Sequence, residues 1–150
     1  MTVLEATAYH EAGHVIALRT IGRRVVKVAI LSESVGYAAP DQMPSSEDNV
    51  ALVGLAGIQA ETHHPDSNAN LTAAIDAYVA AASDRNVIAK ALKTAWLGKA
   101  PLWYQGRYNK ATKLVQEHQH DIRTIALALL AKVSFPKELD ENEINALLIK

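Results

Sequence analysis

Thr2-Val3-Leu4-Glu5-Ala6-Thr7-Ala8-Tyr9-His10-Glu11-Ala12-Gly13-His14-Val15-Ile16-Ala17-Leu18 stands at the head of the chain and reads as one helix. Thr2-x-x-Glu5 is a capping box, in which each side chain satisfies a backbone N–H at the other end of the motif. Leu4, Ala8, Val15, Leu18 and Ile21 recur at helical spacing as an apolar stripe. Gly22 suits the position just past a helix C-terminus, so the predicted helix runs from Val3 to about Ile21.

Inside it lies His10-Glu11-Ala12-Gly13-His14, an H-E-x-x-H motif. Residues i and i+4 sit one above the other on a helix face, so both imidazoles can reach one ion. A Zn²⁺ held by two His and a carboxylate keeps a position open for water and lowers that water's pKa. Glu11 lies one step round the helix, placed to take the water's proton and return it to a leaving amine. His10 and His14 fall among Ala8, Val15 and Leu18, on the side expected to face inward, where two imidazoles need partners. Gly13 in mid-helix costs about 1 kcal/mol relative to Ala, which implies that something approaches the helix closely there.

A third ligand is required. The residues offer Glu61, Asp66, Asp76 and Asp84, with His63 and His64 as further possibilities. A gluzincin arrangement favours Glu61, on a following helix. A metzincin needs His14-x-x-Gly-x-x-His, and the chain runs Val15-Ile16-Ala17-Leu18-Arg19-Thr20 instead, which excludes that class. Spacing does not choose among the acids.

Working outward, Val25 to Leu31 is β-branched and reads as a strand. Ser32-Glu33-Ser34 turns the chain and Val35-Gly36-Tyr37-Ala38 returns as a second strand. Ala39 to Ser46 is a loop with two prolines, Asp48 to about Thr62 a small-residue helix, and His63 to Asn70 a loop around Pro65. Leu71 to Leu97 and Tyr108 to about Val133 are predicted helices, and a last helix starts at the Asp140-x-x-Glu143 cap. The class is mainly α (α+β): a zincin-like helical domain with a small β-hairpin or sheet after the H-E-x-x-H helix.

At 150 residues the chain is expected to form a single domain, 1–150. It has no Cys, so thiol nucleophiles, disulfide scaffolds and Cys-ligated zinc are excluded, and any metal site is built from His, Asp and Glu. The opening residues lack a basic n-region and an apolar core, and no apolar run reaches the roughly 18 residues of a membrane span. These features point to a cytoplasmic protein. Between Val28 and Asp84 there are eight acids and no Lys or Arg, whereas Arg85 to Lys137 carries ten basic residues and only Glu117 and Asp121. The basic stretch has no aromatic interleaving and no helix-turn-helix signature, so two charged faces are expected rather than nucleic-acid binding. His118 and His120, at i and i+2, are expected at the surface, and Trp96, Trp103, Tyr104 and Tyr108 are expected to pack a loop between helices.

The segment Ala8 to Ala17, followed by Val26-Lys27-Val28 and Gly36-Tyr37, resembles the peptidase domain of the FtsH-type ATP-dependent zinc proteases. Leu55-Ala56-Gly57-Ile58-Gln59-Ala60-Glu61 is similar to that family's Gly-x-x-Ala-Glu segment. Ser83-Asp84 looks like its aspartate-donating segment, and Ile125 to Leu130 with Glu138 to Ile144 is similar to its closing helices. The resemblance implies His10, His14 and Asp84 as zinc ligands, with Asp76 next in line. It implies Glu11 as general base and Glu61 as a supporting partner of a ligand histidine. The strand at Val35, Gly36 and Tyr37 becomes an edge on which an extended substrate pairs its backbone. The family carries an AAA ATPase and usually membrane helices, whereas this sequence starts at the peptidase helix and has no phosphate-binding loop. The expectation is therefore a metalloendopeptidase acting on flexible or unfolded polypeptides, with a separate ATPase or a homo-oligomer as possible partners. The alternative is a non-catalytic zinc-binding interaction or regulatory module on the same fold.

Overall fold

The computed structural model describes residues 1–62 and 100–149. Among them are five helices and one three-stranded antiparallel sheet, a mixed α and β architecture. The elements are α1 (Val3–Thr20), β1 (Val25–Ser32), β2 (Val35–Pro40), α2 (Glu47–Thr62), α3 (Ala100–Glu117), α4 (Gln119–Leu130), β3 (Lys137–Asp140) and α5 (Glu141–Leu147).

Helix α1 starts and stops where local chemistry dictates. The Thr2 N–H donates to Glu5 Oε2 at 2.7 Å, and the Glu5 N–H donates to Thr2 Oγ1 at 3.1 Å. At the other end Gly22 adopts φ +82°, a conformation that costs glycine little. The N–H groups of Gly22 and Arg23 then reach the carbonyls of Arg19 and Leu18 at 3.0 and 2.9 Å, closing a Schellman turn.

Every residue from Ala8 to Leu18 is buried, so α1 is the core of the fold rather than a helix with one apolar stripe. It is packed by α2, by α4 and by the sheet. Small residues make this possible: Ala8, Ala12 and Ala17 are fully buried beside Val15 and Leu18. At Gly13 a Cβ would stand 2.5 Å from the Ala56 carbonyl oxygen and 2.8 Å from Ala60 Cβ. The close approach implied by a mid-helix glycine is therefore the backbone of α2.

The sheet order is β2-β1-β3, with β1 antiparallel to both neighbours. Val28 and Ile30 of β1 enter the core, and the Thr7 hydroxyl of α1 donates to the Glu33 carbonyl at 2.7 Å, holding the hairpin turn. Strand β2 continues to Pro40, two residues beyond its expected end, because Val25 and Lys27 pair with Pro40 and Ala39. Strand β3 was not expected. Its four residues serve both as a strand against Lys27 to Ile30 and as the lead-in to the Asp140 cap of α5.

The helix expected from Tyr108 to Val133 is instead two helices, α3 and α4, separated at His118. His118 has φ −115° and ψ 21°, off the helical values, and only α4 presents Ile122, Ile125, Ala126 and Leu129 to the core against α1. Trp103, Tyr104 and Tyr108 lie within α3, not in a loop. His120 is exposed, and His118 sits half-buried with Nδ1 3.5 Å from Asp121 Oδ2. An ion pair joins the acidic and basic stretches where Arg107 of α3 donates to Asp48 of α2. The expected helix over 71–97 and the residues Trp96, His63 and His64 lie outside the described residues. No helix among the described residues is long and apolar enough to cross a membrane.

Two outcomes follow from this packing. Gly13→Ala is expected to destabilise the fold by about 1–3 kcal/mol in denaturant titration, even though Ala is the better helix former by about 1 kcal/mol. An unchanged or raised midpoint would contradict the contact with α2. The second outcome concerns acid. Hydrogen bonding to Arg24 holds the Glu141 carboxyl below its usual range, and Lys132 together with the Asp140 N–H does the same for Glu143. Such groups stabilise the fold above the usual carboxylate range, and that contribution is lost as pH falls through their lowered values. Stability is therefore expected to decline below about pH 4, less steeply in Glu143→Gln. Identical acid slopes in the two proteins would remove Glu143 from the account.

Candidate metal centre

Helix periodicity brings His10, Glu11 and His14 to one place. One ligand atom from each lies within 4.8 Å of the other two, and this is the cluster of metal-binding side chains among the described residues. All three are buried, at 8%, 5% and 8% exposure. Burying two imidazoles and a carboxyl side by side is costly unless each finds a partner.

The partners orient the rings. His14 Nδ1 lies 2.8 Å from the Val53 carbonyl oxygen. A carbonyl only accepts, so Nδ1 carries the proton and the ring's lone pair is on Nε2. His10 Nδ1 hydrogen-bonds Glu61 Oε1, which assigns the same tautomer to that ring. The rings meet edge to face, 89° apart with centroids at 4.5 Å. Two imidazoles with Nδ1 engaged by outer oxygens are the arrangement that fixes histidine ligands in metal sites. Glu61 thus meets His10 at the Nδ1 edge of the ring.

Two glycines line the cluster. A Cβ at Gly57 of α2 would stand 2.6 Å from His14 Cε1 and 2.9 Å from Nε2 of both histidines. A Cβ at Gly36 of β2 would stand 2.7 Å from Glu11 Cγ and 3.0 Å from Glu11 Oε1. Bare backbone from α2 thus faces the imidazoles, and bare backbone from β2 faces the carboxyl. Gly36 had been expected only as part of a substrate edge, and Gly57 only as a letter in a resemblance. The local signal for Gly57 was its spacing, one helical turn before Glu61.

Val35, Gly36 and Tyr37 lie on β2, an outer strand of the sheet, with Val35 and Tyr37 exposed. Asp84 and Asp76, the expected third ligand and its reserve, lie outside the described residues, as does Asp66. The donor set that is described, two imidazole nitrogens and a nearby carboxylate without sulfur, fits Zn²⁺. A scan against protein-family models gives no match, and neither does a search of curated proteins.

The tautomers can be tested directly. In ¹⁵N NMR the neutral forms of His10 and His14 are expected to be protonated at Nδ1. An Nε2–H tautomer for either ring would contradict its assigned partner.

Proposed function

We propose that the chain is a zinc-dependent metalloendopeptidase domain of zincin type that cleaves flexible or unfolded polypeptides. The observation that carries this reading is the convergence of His10, Glu11 and His14, with both Nδ1 atoms held from outside. The resemblance to the FtsH-type peptidase domain supports it, since His10, Glu11 and His14 are among the residues that the resemblance singles out.

His10 and His14 would hold the ion, and Asp84, with Asp76 as reserve, would complete the set. When bound, Zn²⁺ supplies Lewis acidity to a peptide carbonyl and to a water molecule. Glu11 is the general base: its carboxylate takes the proton from water and passes it to the departing amine nitrogen. Burial beside the imidazoles suits this, because proton transfer is more effective where bulk water does not compete for the carboxylate. Glu61 and the Val53 carbonyl keep the two rings in register through the proton movements. Strand β2 provides an edge where an extended chain pairs its backbone, and Gly36 brings that edge against Glu11. Edge pairing demands an unfolded segment, which matches flexible or unfolded substrates, delivered by a separate ATPase where the target is folded.

Purified protein is expected to carry about one zinc per chain. Glu11→Gln is expected to keep the metal while cleavage of an unstructured labelled polypeptide falls by about 10²–10⁴-fold. Wild-type cleavage in Glu11→Gln would overturn the mechanism. A zinc-loaded wild type that cuts none of a set of unfolded substrates would support the non-catalytic interaction or regulatory module instead.

A further inference from the structure

The stripe of α2 that faces α1 is Val53, Ala56, Gly57, Ala60 and Glu61, spaced i, i+3, i+4, i+7 and i+8. The α1 face opposite is His10, Gly13 and His14. The two faces are complementary residue by residue. Where α1 has glycine, α2 presents the Ala56 carbonyl and the Ala60 methyl. Where α1 has the two imidazoles, α2 presents Gly57.

We infer that Gly57 is a positioning residue of the metal centre, required because α2 must offer bare backbone to the Nε2 edges of His10 and His14. This rests on the zinc reading above. A helix-interior glycine is unfavourable by about 1 kcal/mol, so its presence needs a steric reason. The reason is the 2.6 and 2.9 Å that would separate a Cβ from the imidazole atoms, distances shorter than real Cβ contacts. Side-chain ends elsewhere could swing aside. These rings cannot do so cheaply, since His14 would lose the Val53 carbonyl and His10 would lose Glu61. A methyl at 57 therefore turns the rings away from a shared ion, or forces α2 off α1.

The test compares wild type, Gly57→Ala, His14→Ala and the double variant Gly57→Ala/His14→Ala. Zinc affinity is read by competition with a chromophoric chelator, and the stability of the zinc-free proteins by denaturant titration. Gly57→Ala is expected to bind zinc about 10–100-fold more weakly than wild type. Its zinc-free midpoint is expected to drop, and the drop that Gly57→Ala causes is expected to be smaller in the His14→Ala background, where only the His10 Nε2 contact at 2.9 Å remains. That smaller drop ties position 57 to the imidazole, and it stays readable if Gly57→Ala by itself does not fold. Wild-type zinc affinity in Gly57→Ala overturns this inference and leaves the zinc reading standing. A double variant that falls as far below His14→Ala as Gly57→Ala falls below wild type also overturns it. A wild type that takes no zinc overturns both.

Discussion

The fold depends on how closely α1 and α2 approach one another. Gly13 lets the α2 backbone in at Ala56, and Gly57 lets the imidazoles of α1 out toward α2. One contact therefore sets helix separation and site geometry together. It also brings the Val53 carbonyl and the Glu61 carboxylate within hydrogen-bond reach of the two Nδ1 atoms. A wider spacing would leave room for larger side chains between the helices, but it would strand both rings without their outer partners. Buried polar groups tolerate that poorly, because an unmade hydrogen bond costs about 1–3 kcal/mol. The packing and the polar network are for this reason one constraint rather than two.

The sheet supplies the other wall. Strand β1 is paired on both sides, buries Val28 and Ile30 against α1, and keeps the hairpin in register. Strand β2 brings Gly36 to the Glu11 side chain. The three polar residues of α1 are thus enclosed by two elements of different kinds, each contributing a residue without a side chain at the point of contact. Burial of all faces of α1 from Ala8 to Leu18 follows from this enclosure, with α4 closing the remaining side through Ile122, Ile125 and Leu129.

Much of this was legible in the sequence where a signal is local. The Thr2 and Asp140 capping boxes, the Gly22 stop and the His-Glu-x-x-His spacing each involve residues within five positions of one another, and the structure forms each of them. The hairpin was legible for the same reason. What escaped was set by tertiary context. Lys137-Glu138-Leu139-Asp140 has no strand composition, and it is a strand because β1 offers it an edge. The break at His118 carries neither Pro nor Gly. Beyond it α4 turns a strongly apolar face onto α1, which an uninterrupted helical period does not forecast. The meaning of Gly13 was half legible: something had to come close, but only the fold identifies it as Ala56 and Ala60.

A mid-helix glycine between two histidines looks like evidence for a metal, yet Gly13 faces a neighbouring helix and would be needed there without any ion. The stronger case for a cation comes from the imidazoles themselves. Each ring spends its Nδ1 on an oxygen of α2, which puts both lone pairs on the inner edges. A buried carboxyl stands within 4.8 Å of them. With the rings neutral and the carboxyl ionised, the enclosure is a region of negative potential in a medium that screens it weakly. A divalent cation of nitrogen and oxygen preference offsets that potential with one particle, whereas protonating the imidazoles would set like charges side by side. The electrostatics of the enclosure, more than the spelling of the motif, supports the proposed ion.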